Sequence, residues 1–559
     1  MSDLFDLIII GGGINGCGIA RDAAMRGFKV LLVEKNDFAS ATSGANSQMI
    51  HGGVRYLLSD VHTTKTSCLD SGYIQKIASH LIFRIPFLFP VLQEKGESAF
   101  AKKVELELLE TFFEAYDRYA PLKNGKPHTR LNAQELLQLE PDLTPSVFGG
   151  ITFDEWGIES TRLTLLNALS AHEQGAEIKN HTEVLEILKD QGRVVGVRIR
   201  DFFTGQVSEV RAKIVFNAAG PWVPKIAKMA GVEIKLRPAK GIHISFDRRL
   251  TNTAVLAKAI DGRSIFLMPH QNETILGTTD DDYFGDPDDL SVTEDEVEYL
   301  LEGIEKVFPK IREARITRVW AGIRPTLYER GKYEDDLTRE HEIFDHEKRD
   351  KLPGFISIAG GKLASFRLMS EEAVDVFCEK LGVSTLCSTH LKPLPGSEEK
   401  VDVEALAEKF KIPLFAAARL VYRQGARAAQ VGASATTDWR TPLHPNARNI
   451  ICSCEPVLEA EIRYVIRHEW ARTLEDLSRR TNLALGPCQG TDCLLPAAQI
   501  LGEELGLSPH QVFSQVREFL EKKWKNKIPI LKGTQLQQEE LAREIFLNTL
   551  CFPSPQELS

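Results

Sequence analysis

Apolar and polar positions alternate with different periods along the chain, and the first change of period comes at once. Leu7 to Ile10 are uninterruptedly apolar, as expected of a short strand buried on both faces. A glycine turn follows, then a helical stretch running to Arg26 with Gly27 as its stop, then a second apolar strand from Lys29 to Val33 that ends in Glu34. This is one complete βαβ unit. RAKIVFNAAGPWVPKIA predicts a strand closed by a small-residue turn, and GFISIAGGKLASFRLMSEEAV predicts a strand, a Gly360-Gly361 turn and a helix beginning near Lys362. Between them lie strand patterns in GIHISF and SIFLMP and a helical stretch around Val297 to Phe308. In GIHISF, Ile242, Ile244 and Phe246 share one face, so His243 points to the other. HLIFRIPFLFPVLQ is apolar but broken by Arg84, Pro86 and Pro90, which suits a core strand better than a membrane-dipping segment. A linker is expected around Leu391 to Glu399, after which the pattern turns helical, and a boundary falls in TTDWRTPLHPNARN.

The glycine turn carries chemistry. Gly11, Gly13 and Gly16 form GxGxxG between a strand and a helix, the spacing that lets backbone approach a pyrophosphate at a helix N-terminus. Glu34, at the end of the second strand, is placed to accept from ribose hydroxyls, which favours an adenosine ribose without a 2′-phosphate. The pattern supports dinucleotide binding and leaves NAD and FAD open.

Composition narrows the class. A chain of 559 residues with 43% hydrophobic and 26% charged residues is long enough for several folded domains. The net charge of −10 comes without a basic block, so nucleic acid is not an expected partner. MSDLFDLIIIGGG enters a strand without a targeting segment, and no apolar run reaches the roughly 18 to 20 residues of a spanning helix. A cytoplasmic protein is expected, with its nine cysteines as thiols or ligands. DDDYFGDPDDLS resembles a calcium loop, but Phe284 stands at the fifth position and Ser291 where the bidentate Glu should be, so no metal is expected there.

Four cysteines cluster. Cys452 and Cys454 stand in ICSCEPV, and Cys488 and Cys493 in CQGTDC, separated by a stretch patterned as two helices. A CxC turn aims two thiolates at one centre more readily than it closes a disulfide, and the glycines let the second pair wrap. Four thiolates can hold zinc or an iron–sulfur cluster; zinc ribbons prefer CxxC knuckles, so this spacing leans to [2Fe–2S]. Cys17, Cys68, Cys378, Cys387 and Cys551 have no such partners and are expected to pack.

GGGINGCGIARDAAMRG, ATSGANSQMIHGGVRYL, GTTD, AGIRPT and AGGKLASFR, in this order, resemble the FAD-dependent glycerol-3-phosphate dehydrogenases, and the resemblance runs through essentially the whole chain. It implies an α/β fold: a FAD-binding Rossmann-like domain of glutathione reductase type, an interleaved mixed-sheet substrate domain and a C-terminal all-α domain with the four-cysteine site. The implied boundaries are 1–385 for the oxidoreductase domain, with nucleotide-binding parts at about 1–80, 150–230 and 350–385. Residues 386–445 would form a linker and helical cap, 446–500 a bacterioferritin-associated-ferredoxin-like [2Fe–2S] domain and 501–559 a helical tail.

The resemblance also distributes roles. FAD would be held by Gly11, Gly13, Asn15, Gly16, Glu34, Lys35, Thr42, Ser43, Ser47, Gln48, Val184, Ala219, Gly220, Gly361, Lys362 and Leu363. Arg55, Tyr56, Arg324 and Arg339 would surround the substrate phosphate and reacting carbon, as arginine forks suit a phosphate monoester. His243 or His51 would take the C2 hydroxyl proton, and Lys362 would face the anionic edge of the reduced flavin. The implied reaction oxidises sn-glycerol 3-phosphate to dihydroxyacetone phosphate and sends electrons to a quinone or to accessory electron-transfer subunits. Peripheral contact with the inner face of the cell membrane and a homodimer stay open. The rivals are a flavin-dependent 2-hydroxy-acid or amine dehydrogenase or oxidase, and an electron-transfer flavin subunit.

Overall fold

A computed structural model describes residues 4–58, 60–332, 340–437 and 448–549. Two sheets and a helical region account for most of the chain. In the first sheet, strands Phe5–Ile10, Val30–Val33, Val207–Asn217 and Phe355–Gly360 run parallel, with Ile10 opposite both Val33 and Asn217. Helices Ile14–Met25, Ser160–Glu173 and Phe366–Leu381 pack over it, and Leu7, Ile9, Val30, Leu32, Ala20, Ala23, Leu166 and Phe377 share their core. Each fully buried aliphatic side chain of this kind contributes about 1.5–3 kcal/mol of transfer free energy.

The second sheet is nine-stranded among the described residues. Its central strand Ala239–Phe246 pairs antiparallel with Glu273–Gly277 and with Ile316–Arg324, so Gly277 and Trp320 flank His243. HLIFRIPFLFPVLQ becomes the strand Ile82–Leu92, paired along its length with Val147–Ile158. The helix expected around Val297 to Phe308 spans Glu294–Glu305 behind a Thr293 capping box.

Among the described residues, the C-terminal region is helical apart from one small hairpin, Ile450–Cys452 with Val457–Leu458. The two helices expected between the cysteine pairs are present as Glu459–His468 and Leu474–Thr481. One core joins Leu406 and Leu420 to Ile462 and Leu494 and to Leu520 and Trp524. Among the described residues, parts of all three stretches expected at 386–445, 446–500 and 501–559 contribute to this one core. Its contact with the nucleotide-binding part is made by buried charge. Asp37 accepts from Arg480 at 2.6 and 2.8 Å and from Arg479 at 2.7 Å, while Arg162 donates to Glu469 at 2.5 and 2.8 Å. Burial alone would raise the Asp37 carboxyl, yet the two arginines hold it well below the usual carboxylate range.

Candidate active site and four-cysteine centre

A cavity of about 520 Å³ runs from the glycine turn to the substrate sheet. At its nucleotide end the backbone leaves no room for side chains. Gly11 has a φ of +114°, and a methyl on Gly16 would lie 1.9 Å from the Gly11 carbonyl oxygen. Gly11, Gly13, Asn15, Glu34, Lys35, Val184, Ala219 and Gly220 line this end, whereas Gly16 packs behind the turn without reaching the wall. Glu34 Oε2 accepts from the Gly12 amide at 2.6 Å and Oε1 from Asn36 at 2.8 Å, and burial pushes the Glu34 carboxyl up. Lys35 pairs with Asp288 and lies 4.1 Å from the Trp222 ring centroid, so the rejected calcium-loop segment folds over this end as an ion-pair partner.

The loop after the second strand crosses the middle of the cavity. Ser43 Oγ accepts from the Ile14 amide at 2.9 Å, and Thr42 donates to the Ile323 carbonyl at 2.6 Å. Thr42, Ser43 and Ser47 line the wall, but Gln48 does not. The Gln48 side chain spans Gly44 and Ser160 and faces a second cavity, against the expectation that it lies beside the flavin.

The substrate end gathers cations around few anions. Arg55 and Tyr56 sit in the short turn Val54–Tyr56, and Arg324 closes strand Ile316–Arg324. Arg324 donates to Asp280 Oδ1 at 2.9 Å, and Arg55 approaches Asp280 Oδ2 at 3.9 Å, so one carboxylate spaces two guanidinium groups. Lys362 Nζ, 4.7 Å from the Tyr56 ring centroid, is enclosed without a hydrogen-bond partner, and burial lowers its ammonium to about 8. Lys362 precedes a three-residue turn, Leu363–Ser365, and the α-helix starts only at Phe366. The helix expected near Lys362 thus opens with a three-residue turn that Lys362 caps and becomes α-helical one turn later. Gly361 and Leu363 line the cavity with Lys362.

His51 lies on the wall and His243 one layer behind it. His243 is buried, stacked on Trp320 at 5.3 Å and 7° between planes, and its Nε2 lies 2.9 Å from Ser47 Oγ. A methyl on Gly277 would come within 2.4 Å of the imidazole, so that glycine makes the slot for the ring. Burial, with Arg324 nearby, lowers His243 to about 3, and its Nδ1 has no hydrogen-bond partner. Arg339 lies outside the described residues, as does Cys551.

Several partners escaped the sequence reading. Asp280 stood inside the quoted GTTD motif, while Trp320 could be found only by pairing two strands. Beneath Gly52, Glu155 accepts from Tyr116 at 2.7 Å and pairs with Lys123 at 2.8 Å, a buried network supported from three distant elements.

The four clustered cysteines converge. The Cys493 thiol neighbours those of Cys452 and Cys488, and the Cys454 thiol that of Cys488. Those contacts draw Cys452 down to about 6 and Cys488 to about 4, while burial pushes Cys454 up to about 11. This donor set suits thiolate ligation. Cys17, Cys68 and Cys378 are buried elsewhere, and Cys387 is half-buried.

A parallel sheet with a glycine-turn helix, an interleaved second sheet and a cation-lined cavity between them define a FAD-dependent oxidoreductase. The model of the FAD dependent oxidoreductase family matches residues 6–363, and that of the C-terminal domain of alpha-glycerophosphate oxidase matches residues 387–512. An anaerobic glycerol-3-phosphate dehydrogenase subunit of Escherichia coli (strain K12) is 34% identical over 550 residues, covering 97% of this chain and 96% of that protein. Aerobic glycerol-3-phosphate dehydrogenase of Staphylococcus haemolyticus is 32% identical over 409 residues, covering 70% of this chain and 71% of that protein. The X-ray structure of the glycerol-3-phosphate dehydrogenase from Bacillus halodurans complexed with FAD superposes with a TM-score of 0.75 at 26% identity, covering 95% of this chain and 97% of that one. The chain belongs to the FAD-dependent glycerol-3-phosphate dehydrogenase family. No helix among the described residues is long and apolar enough to cross a membrane.

Proposed function

We propose that the chain oxidises sn-glycerol 3-phosphate at C2 to dihydroxyacetone phosphate. The observation that carries this reading is the convergence of Arg55, Arg324 and Lys362 on one end of a dinucleotide-shaped cavity, with a buried neutral imidazole one layer behind. FAD fits that cavity: the glycine turn leaves space for a pyrophosphate, Glu34 keeps lone pairs for ribose hydroxyls, and the unpartnered Lys362 Nζ suits the anionic edge of a reduced flavin. When bound, FAD supplies the two-electron acceptor for the hydride on C2.

The residues of the chain do the rest. Arg55 and Arg324, spaced by Asp280, offer forked donors to a phosphate monoester, with Arg339 assigned to the same group by resemblance. They orient the substrate so that its C2 hydroxyl points to the wall holding Ser47 and His51. His243 is neutral at physiological pH and can take a proton through the Ser47 hydroxyl, 2.9 Å away; His51, directly on the wall, is the alternative base.

The four-cysteine centre fits a [2Fe–2S] cluster held by Cys452, Cys454, Cys488 and Cys493, which would supply one-electron carriage; zinc is the alternative occupant. By the resemblance read from the sequence motifs, a quinone or accessory subunits would be the final acceptor, with peripheral contact at the inner membrane face left open.

The test is an anaerobic absorption spectrum of the purified protein before and after glycerol 3-phosphate. Bleaching of the flavin band is expected, with loss of a longer-wavelength shoulder if the cysteines carry iron and sulfide. A flavin band indifferent to this substrate transfers the assignment to a hydroxy-acid or amine substrate.

A further inference from the structure

The turn that carries His51 to the cavity wall is held at both of its peptide groups. The carbonyl of Ile50, in the peptide entering His51, accepts from Ser71 Oγ at 2.8 Å. The amide of Gly52, in the peptide leaving it, donates to Glu155 Oε2 at 2.9 Å. Holding both peptide planes sets the backbone torsions of His51, and with them the direction in which its side chain departs. The turn also has no slack. A methyl on Gly52 would lie 2.4 Å from the Tyr116 hydroxyl and 2.5 Å from Cys68 Sγ, and one on Gly53 would lie 3.0 Å from Lys362 Nζ. The same turn is therefore the seat of Lys362.

Glu155 is itself braced by neighbours from other elements. It stands on strand Val147–Ile158, is 2% exposed, accepts at Oε1 from Tyr116 of helix Ala99–Asp117, and pairs with Lys123 of the short turn Ala120–Lys123. Lys123 also donates to the Tyr116 hydroxyl at 3.0 Å and to the Asp154 carbonyl at 2.6 Å, so each of its three protons has a partner. Phe113, Phe153 and Ile85 belong to the buried apolar cluster around this network. In such surroundings an ion pair adds little to stability over apolar side chains of similar volume, so stability alone gives no reason for it.

We propose that Glu155 is a positioning residue for the oxidation: by holding the Gly52 amide it fixes His51 on the cavity wall and keeps the seat of Lys362 in place. The inference rests on the reading of this cavity as the site of glycerol 3-phosphate oxidation, and extends it to a side chain that acts through the backbone of the turn.

Two double variants separate the hydrogen bond from the charge. Glu155→Leu with Lys123→Met removes both charges and the acceptor. Glu155→Gln with Lys123→Met removes both charges but keeps a carbonyl oxygen for the Gly52 amide and an NH2 for the Tyr116 hydroxyl. Taking both charges away together strands neither of them. In the flavin-loaded protein, hydrogen exchange at the Gly52 amide, read by mass spectrometry, should be slow in the parent. It should be at least about tenfold faster in the first double variant and within about threefold of the parent in the second. The rate of anaerobic flavin bleaching by saturating glycerol 3-phosphate should fall at least about tenfold in the first and recover to within about threefold of the parent in the second. Flavin content should match the parent in both. Fast exchange at Gly52 in the parent overturns the proposal whether or not either variant folds. So does a first double variant that bleaches at the parent rate, or an equal loss in both, which would assign the effect to the charges. A fall in flavin content that accounts for the lost rate overturns it as well, since the network would then be a structural support only. Slow exchange in a parent protein that glycerol 3-phosphate does not bleach leaves the clamp standing and removes the substrate assignment instead.

Discussion

Arg324 shows how much one side chain carries. Its guanidinium is anchored by Asp280 at 2.9 Å and by Thr278 at 3.2 Å, so its position is set before any ligand arrives. If, as proposed, the same fork holds both the phosphate and the reacting end, Arg324→Ala should raise KM and lower kcat together; steady-state kinetics indistinguishable from the parent would refute that role. Lys362 gives a pH signature. Burial lowers its ammonium to about 8, so the positive charge is present below that pH and lost as pH rises through it. The profile of kcat/KM, which reports the free enzyme, should therefore fall above about 8, and Lys362→Met should lower the plateau and abolish that limb. Arg324 and Lys362 were legible as residues because GIRP and GGK place a cation among apolar or small neighbours. Asp280 was not assigned, because an acid in a run of acids has no local mark that separates an ion-pair partner from a solvated surface group.

At the level of single elements, the first βαβ unit follows the sequence almost residue for residue. The buried strand Phe5–Ile10, the helix Ile14–Met25 and the strand Val30–Val33 each have the period that predicts them. Gly16 is the most constrained position in the unit. Gly16→Ala would set a methyl 1.9 Å from the Gly11 carbonyl oxygen, which only a displaced helix can relieve. The expected outcome is protein that purifies with a strongly reduced flavin-to-protein ratio, read from the absorption spectrum, because displacement of the helix removes the pyrophosphate seat. The start of the last nucleotide-binding helix was misplaced from sequence for a definite reason. After the expected Gly360-Gly361 turn, the helical segment opens with the tighter turn Leu363–Ser365, which hydrophobic periodicity does not separate from the α-helix that follows.

For the whole molecule, the decisive feature is a charged seam between the nucleotide-binding layer and the C-terminal helical region. Asp37 and Arg480 are buried, and Asp37→Asn would leave Arg480 and Arg479 facing a neutral amide. Removing one partner of a buried ion pair typically costs about 3–5 kcal/mol, so a large fall in unfolding midpoint is expected; an unchanged midpoint would show that water reaches the seam. Local pattern had already specified the elements: strand and helix periods, the GxGxxG turn, and four cysteines in two close pairs all depend on neighbours within a few residues. Three-dimensional packing settled what long-range contact alone can make. It set Trp320 against His243 through antiparallel strand pairing and gathered Glu155, Tyr116 and Lys123 into one network beneath Gly52. It also joined described residues as far apart as Leu406, Ile462, Leu494 and Phe546 into a single core, beside which Arg480 binds Asp37. The physical reason is range: hydrogen-bonded turns and amphipathic periods are written in consecutive residues, whereas burial, ion-pair partners and shifted pKa values arise only when segments far apart in sequence exclude water from one another.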